Sequence, residues 1–206
     1  MINFKGIISL ILLGFAVGFP TTLGAQNEIT RSQATKYQKR TLVVVIPTQR
    51  KKIAVLKKAI AEGDASRRSQ ELLQRTIAEQ SLWQKEIMRA VQNHYTFSKS
   101  VFLMDSVLHR DLELLPVFDY DFESATLARE EAWFMVRGNL VSGAEALILQ
   151  DERQQSLERP FPYYRKLNSI STLFESFFSS KKPRWKQLDL LIEKMNARLL
   201  KVVSSE

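Results

Sequence analysis

The side chains best suited to acid–base catalysis are an aspartate and a histidine that lie close together in the sequence, Asp105 and His109. Asp105 ends the apolar segment 97–104, which predicts a strand, and ligands of open α/β sheets often bind where strands end. Imidazole has an ordinary pKa near neutrality, so His109 could act as a general base. No nucleophile-elbow motif frames a serine in this chain. These two residues are therefore the catalytic candidates, and the competing interpretation is ordinary surface charge.

A second candidate site is the aromatic string 160–165, in which two prolines alternate with aromatic residues. Each proline restricts the residue before it to an extended backbone. Tyrosine rings beside cations can stack on a sugar ring or on a partner's side chain. The predicted binding residues are Tyr163, Tyr164 and Arg165. The alternative is that the string forms a lid over one end of the core.

The acidic segment 105–131 contains carboxylates at a spacing typical of a calcium loop. Such loops take oxygen ligands at positions 1, 3, 5 and 12. The corresponding residues here are Asp119, Asp121, Glu123 and Glu130. The sixth position is Ser124, however, where the sharp turn of a calcium loop needs glycine. An extended segment with carboxylates facing solvent has the same alternation. We therefore predict no metal site, and the sequence leaves cation binding by this segment open.

The counts of cysteine, histidine and glycine exclude several classes of chemistry. The 206 residues contain no cysteine, which excludes disulfides, thiolate nucleophiles, Cys-ligated zinc and iron–sulfur clusters. The only two histidines, His94 and His109, are too few for a His-rich transition-metal site. Neither of the common glycine-rich phosphate-binding motifs, GxGxxG and GxxxxGK[ST], occurs. We therefore expect no cofactor.

The first 25 residues have the pattern of a secretory signal peptide. Lys5 is their only charged residue, an apolar run follows at 7–19, and small residues lead to Ala25. The run would span about 20 Å as a helix, less than the roughly 30 Å of a bilayer's hydrocarbon core. The sequence thus favours a cleaved signal peptide over a membrane anchor. We predict an exported protein, periplasmic or extracellular, without a transmembrane segment after cleavage.

Charge is distributed unevenly along this basic chain, whose formal net charge is +8. Residues 26–100 hold 15 basic and 6 acidic side chains, whereas residues 101–160 hold 5 and 12. Basic patches bind nucleic acid in cytosolic proteins, but export argues against nucleic acid as the partner. The partners that remain are an acidic protein, an acidic polymer or another envelope component, including peripheral contact with an anionic membrane. The alternative is that the basic clusters form solvated faces, paired with the chain's own acidic middle.

Hydrophobic patterning predicts a single α/β domain at 41–206, preceded by the signal peptide at 1–25 and a flexible segment at 26–40. The β-branched run 41–46, ended by Pro47, is typical of a strand buried on both faces. Apolar residues at helical spacing follow it. The remaining predicted elements are strands at 97–104, 132–136 and 146–149 and helices at 170–178 and 185–202. We expect a mixed sheet of about four strands covered by helices.

This order of elements is similar to the thioredoxin-like arrangement. The CxxC motif is absent, so the resemblance implies a topology and no redox chemistry. The strings 41–51 and 160–164 also resemble those of exported bacterial proteins of uncharacterised function, which implies export and supplies no catalytic motif. We predict a non-enzymatic interaction or binding module. The alternative is a small cofactor-independent hydrolase that uses carboxylate and histidine acid–base chemistry.

Overall fold

The fold is a mixed β-sheet with helices packed on it, in a computed structural model that describes residues 22–63, 66–108, 110–158, 161–162, 164–167 and 185–204. Its strands are β1 (Thr41–Ile46), β2 (Ser100–Met104), β3 (Leu114–Phe118), β4 (Ser124–Ala128), β5 (Ala132–Asn139), β6 (Glu145–Gln150) and β7 (Tyr164–Lys166). The helices of the described residues are α1 (Thr22–Lys39), α2 (Arg50–Ala61), α3 (Arg67–His94), α4 (Asp105–Leu108) and α5 (Trp185–Ser204). The predicted helix at 170–178 lies outside these residues.

Within the described residues the sheet has seven strands, in the order β4-β3-β2-β1-β5-β6-β7. Strand β1 pairs in parallel with β2 and β5, and the other pairs are antiparallel. A single mixed α/β domain is thus confirmed. The expected sheet of about four strands, and the thioredoxin-like arrangement drawn from it, are wrong. The added strands come from the acidic segment, which forms β3 and β4, and from the aromatic string, which contributes β7.

Strand β3 escaped the pattern analysis because Pro116 interrupts its apolar run. Proline cannot donate a ladder hydrogen bond, so it normally marks a segment that is not a central strand. Here β3 pairs with β2 only at its last residue, where Phe118 lies opposite Phe102. Residue 116 is therefore not required to donate to β2, and the proline is tolerated.

The long helices pack on one face of the sheet. The core of that face joins Leu42 and Trp133 of the sheet to Ile87 of α3 and Ile192 of α5. Leu42 to Ile46 of β1 are all buried, which confirms the prediction of a strand covered on both faces. The described cover of the opposite face is α4 with the segment that follows it, and Leu108 is part of this second core.

Arg129, in the short 3-10 turn after β4, holds the segment that follows α4. Its Nη2 donates hydrogen bonds to the carbonyl oxygens of Leu108 at 3.1 Å and Arg110 at 3.0 Å. Its Nε donates to the carbonyl oxygen of Leu112 at 3.1 Å. The guanidinium also lies 5.9 Å from the ring centroid of Phe134. One side chain thus ties Leu108, Arg110 and Leu112 to the sheet.

Residues 26–39 belong to α1, and this differs from the flexible segment predicted at 26–40. Ala34 is fully buried, and the ring of Tyr37 lies 5.4 Å from that of Trp133. Arg40, just beyond the helix, forms an ion pair with Glu152 at 2.6 Å. The sequence shows no clear helical pattern of apolar residues here, because most residues of α1 are polar and few of them pack on the core. Residues 1–21 of the predicted signal peptide lie outside the described residues.

Helices α2 and α3 form a hairpin that extends beyond the sheet. All the buried apolar residues of the 28-residue helix α3 lie in its last third, between Ile87 and Val91. The 12 residues of α2, which packs on α3, include no buried residue. Gly63, just after α2, has a φ of 115°, and at the start of α3 the Ser66 hydroxyl accepts a hydrogen bond from the backbone N–H of Ser69. Within the part of the chain that the structure describes, no helix has the length and apolarity needed to cross a membrane.

Candidate functional site

Asp105 lies at the end of β2, as predicted, and is the first residue of α4. Its Oδ1 accepts a hydrogen bond of 2.5 Å from the hydroxyl of Thr48, which is buried. Because β1 and β2 run parallel, the segments that follow them lie at the same edge of the sheet. The hydrogen bond joins these two segments, so one oxygen of the carboxylate has a structural partner. A catalytic role for Asp105 stays a prediction.

The two described residues of the predicted binding site, Tyr164 and Arg165, do not lie near Asp105. His109 and Tyr163 lie outside the described residues. Tyr164 and Arg165 belong to β7, which is four strands away from β2 in the sheet, or about 19 Å at the usual spacing of strands. Burial, together with the charge of Arg198, lowers the pKa of the Arg165 guanidinium. Asp105 therefore lies in one place, and Tyr164 and Arg165 lie in another.

The carboxylates at calcium-loop spacing do not converge either. Asp119 Oδ1 accepts hydrogen bonds of 2.9 Å from the backbone N–H groups of Asp121 and Glu123, and Phe122 has a φ of 63°. This is a tight hairpin turn between β3 and β4 with a bulge. Glu130 lies beyond the far end of β4, and five strand residues span about 17 Å. Among the described residues, no three acidic or histidine side chains are grouped as a metal site requires.

A cleft of about 530 Å³ lies between the end of α3 and the turn that joins β3 to β4. Four of its hydroxyls are paired, Tyr95 with Ser98 at 2.9 Å and Ser100 with Tyr120 at 2.7 Å. Burial raises the pKa of both tyrosine hydroxyls, so they stay protonated at neutral pH. Because these hydroxyls already have partners, they offer a ligand few unused hydrogen-bonding groups and supply no general base.

Helix α2 presents the cationic surface that the sequence only suggested. It contains five basic side chains and no acidic one, and all five are exposed. They are Arg50, Lys51, Lys52, Lys57 and Lys58. Lys58 forms an ion pair with Glu62 at 3.6 Å, and the other four have no ion pair with any described residue. We call these five residues the α2 basic face.

An apolar side chain lies among three lysines of the α2 basic face. Val55 is 67% exposed. Residues three and four positions apart are neighbours on a helix surface, and three of the four such neighbours of Val55 are Lys51, Lys52 and Lys58. The other side of α2, which is half-buried, carries Ile53, Leu56 and Ile60. The sequence showed two basic clusters, and helical spacing across both of them could have revealed the ring of lysines around Val55.

Comparison of the chain with protein-family models, with curated proteins and with solved structures finds no match. Its function is therefore approached through the geometry of the described residues.

Proposed function

We propose that this protein is an exported, non-enzymatic binding module that engages an anionic partner through the α2 basic face. The observation that carries the proposal is five exposed basic side chains on one short helix without an acidic residue among them. Four of these charges are not neutralised by any described side chain. Such a concentration of one charge attracts anionic partners and accelerates their association.

The basic face is not explained by the needs of folding. Helix α2 contributes no buried residue to the core. The neighbouring helix α3 shows the ordinary arrangement of solvated charges, with pairs one turn apart such as Arg67 with Glu71 at 2.7 Å and Arg75 with Glu79 at 2.8 Å. The absence of such pairs along most of α2 favours a partner outside the hairpin.

The acidic turn between β3 and β4 is poorly situated to neutralise α2. The acidic turn at 119–123 lines the cleft beside Ser100, at the start of β2. Helix α2 begins after Gln49, beyond the end of β1. Since β1 and β2 are parallel, these places belong to opposite edges of the sheet. An external anion is therefore the better partner for the α2 basic face.

The proposed export rests on the signal-peptide pattern of residues 1–25. An exported protein does not meet nucleic acid as its ordinary partner, so we propose an anionic component of the envelope. The hydrolase alternative has less support. The Asp105 carboxylate accepts a hydrogen bond from Thr48, and Tyr164 and Arg165 belong to a strand four positions away in the sheet.

The test is binding to an immobilised anionic polymer, poly-L-glutamate, with the salt concentration that releases the protein as the measurement. One variant changes Lys51, Lys52, Lys57 and Lys58 to glutamine. The matched control makes the same change of charge on other elements, at four exposed lysines: Lys85, Lys166, Lys194 and Lys201. We expect the α2 variant to elute at much lower salt than the control variant. Equal elution of the two would show that net charge, and not the α2 basic face, determines binding.

Two further measurements address the remaining parts of the proposal. The N-terminal sequence of protein isolated from the envelope should begin at Gln26. A panel of hydrolase substrates should show no turnover that depends on Asp105. Turnover abolished by Asp105→Asn in a folded protein would overturn the non-enzymatic assignment.

A further inference from the structure

We infer that the anionic partner of the α2 basic face is the surface of a phospholipid bilayer, an inference that rests on the proposed function. It is carried by Val55, whose side chain is 67% exposed in the middle of three lysines. An acidic polymer needs only the cations. A bilayer interface also offers an apolar layer just beneath its phosphates, and there an exposed valine leaves water.

The geometry of the helix suits this surface. Lys51, Val55 and Lys58 follow one another at spacings of four and three residues, so they form a single stripe about 10 Å long. All three meet a plane when the helix axis lies parallel to it. Lysine has a long apolar stem, so each ammonium group can stay at the level of the phosphates while the shorter valine reaches deeper.

Contact with a membrane would not disturb the fold. Ile53, Leu56 and Ile60 are half-buried on the side of α2 away from this stripe, and α2 packs on α3. The hairpin therefore keeps its own contacts while its outer side meets the lipid. Since α2 has no buried residue, changes to the stripe leave the core intact.

The expected effects follow from the residues of the stripe. One basic residue near an anionic leaflet contributes about a fivefold increase in binding, so loss of Lys51 and Lys58 together lowers affinity roughly 25-fold. Burial of the exposed part of a valine contributes about another fivefold. These effects are large enough to measure one at a time.

The experiment is co-sedimentation of the full chain with unilamellar vesicles of phosphatidylcholine alone or with about 30% phosphatidylglycerol, in parallel with binding to soluble poly-L-glutamate. All variants share residues 1–21, so differences among them report on α2. We expect binding to the anionic vesicles that is lost at about 0.5 M salt, where charges are strongly screened. The variant with glutamine at the four lysines of α2 should lose at least about 25-fold, and the four-lysine control variant much less. Val55→Ser should lose about fivefold on vesicles and leave poly-L-glutamate binding unchanged.

Each outcome supports or overturns the proposed function, the bilayer inference or both. If poly-L-glutamate binds through the four lysines and anionic vesicles do not, the proposed function stands and the bilayer inference is overturned. If neither binds, both are overturned. If Val55→Ser has no effect on vesicle binding, or lowers vesicle and polymer binding equally, contact with lipid through Val55 is refuted.

Discussion

Asn196 on α5 is a buried side chain that holds the connection between α3 and β2. Its Oδ1 accepts hydrogen bonds of 3.0 Å from the backbone N–H groups of Thr96 and Phe97, and its Nδ2 donates to the Thr96 hydroxyl at 3.1 Å. Asn196→Ala removes the acceptor for both N–H groups. The N–H of Phe97 is then left unpaired in the core, at a cost of about 2 kcal/mol, and loss of the partly buried hydrogen bond to the N–H of Thr96, an exposed residue, costs about 1 kcal/mol. We therefore expect the free energy of unfolding to fall by about 3 kcal/mol.

The assay is urea denaturation followed by circular dichroism, together with a thermal melt. For a chain of this size, about 3 kcal/mol corresponds to a fall in Tm of roughly 6–12 °C. Asn196→Asp keeps an acceptor for both N–H groups and lets the Thr96 hydroxyl donate instead, so it should cost less than alanine. Thr96→Val removes the hydroxyl that accepts from Asn196 Nδ2 but keeps both N–H bonds to Oδ1, so it should cost about 1 kcal/mol, less than Asn196→Ala. An alanine variant within about 1 kcal/mol of the parent protein would falsify this account of the connection.

Three other changes test the surroundings of the sheet. Gln49 has a φ of 48° and no side-chain cap to α2, so Gln49→Gly should raise the free energy of unfolding by about 0.5–1 kcal/mol in urea denaturation, and Gln49→Ala should not. Arg129→Met removes the donor to three carbonyl groups, so the free energy of unfolding should fall by about 2 kcal/mol and trypsin should cleave faster after Arg110. Unchanged cleavage would contradict the role given to Arg129. Burial alone would raise the pKa of Glu152, but a backbone hydrogen bond and its contacts with Arg40 and Lys36 outweigh it and lower the pKa overall. A lowered pKa contributes stability above the ordinary carboxyl pKa that is lost as the pH falls through the folded-state value. The stability difference between the parent and Glu152→Gln should thus be present at neutral pH and be lost as the pH falls below the ordinary range of a carboxyl group, and a difference that persists in acid would exclude the ion pair as its source.

Local patterns predicted the central elements of the fold. The run at 41–46 is continuous and apolar, so its burial on both faces could be inferred without knowledge of its partners. The apolar spacing after Pro183 likewise predicted α5, which begins at Trp185. In both cases the signal lies within a few consecutive residues, and tertiary contacts reinforce it.

Strands joined by unusual turns were not predictable in this way. The turn at Asp119 recurs at Asp151, whose Oδ1 accepts hydrogen bonds from the backbone of Arg153 at 2.9 Å and Gln155 at 2.8 Å. In each turn the fourth residue has a φ of 63°, and it is Phe122 in one and Gln154 in the other. Glycine is the usual residue in that conformation, and its absence concealed both turns.

The candidate sites likewise include features that the sequence predicted and features that it did not. The position of Asp105 at a strand end followed from the sequence, but its hydrogen bond to Thr48 did not, since it joins residues 57 positions apart through the parallel pairing of two strands. The distance between Asp105 and Arg165 likewise depends on strand order, which no local pattern specifies. The α2 basic face needed only helical spacing over twelve residues, so it was within reach of the sequence.

A helix that contributes no buried residue to the core can change its exposed sequence freely during evolution. Selection for folding constrains the half-buried side of α2 and tolerates almost any polar residue on the exposed side. If the exposed side were idle, acidic residues would enter it at random as homologous chains diverge. If homologous chains instead keep α2 positive and free of acidic residues, with a small apolar residue at position 55, that retention would indicate a function without any binding assay.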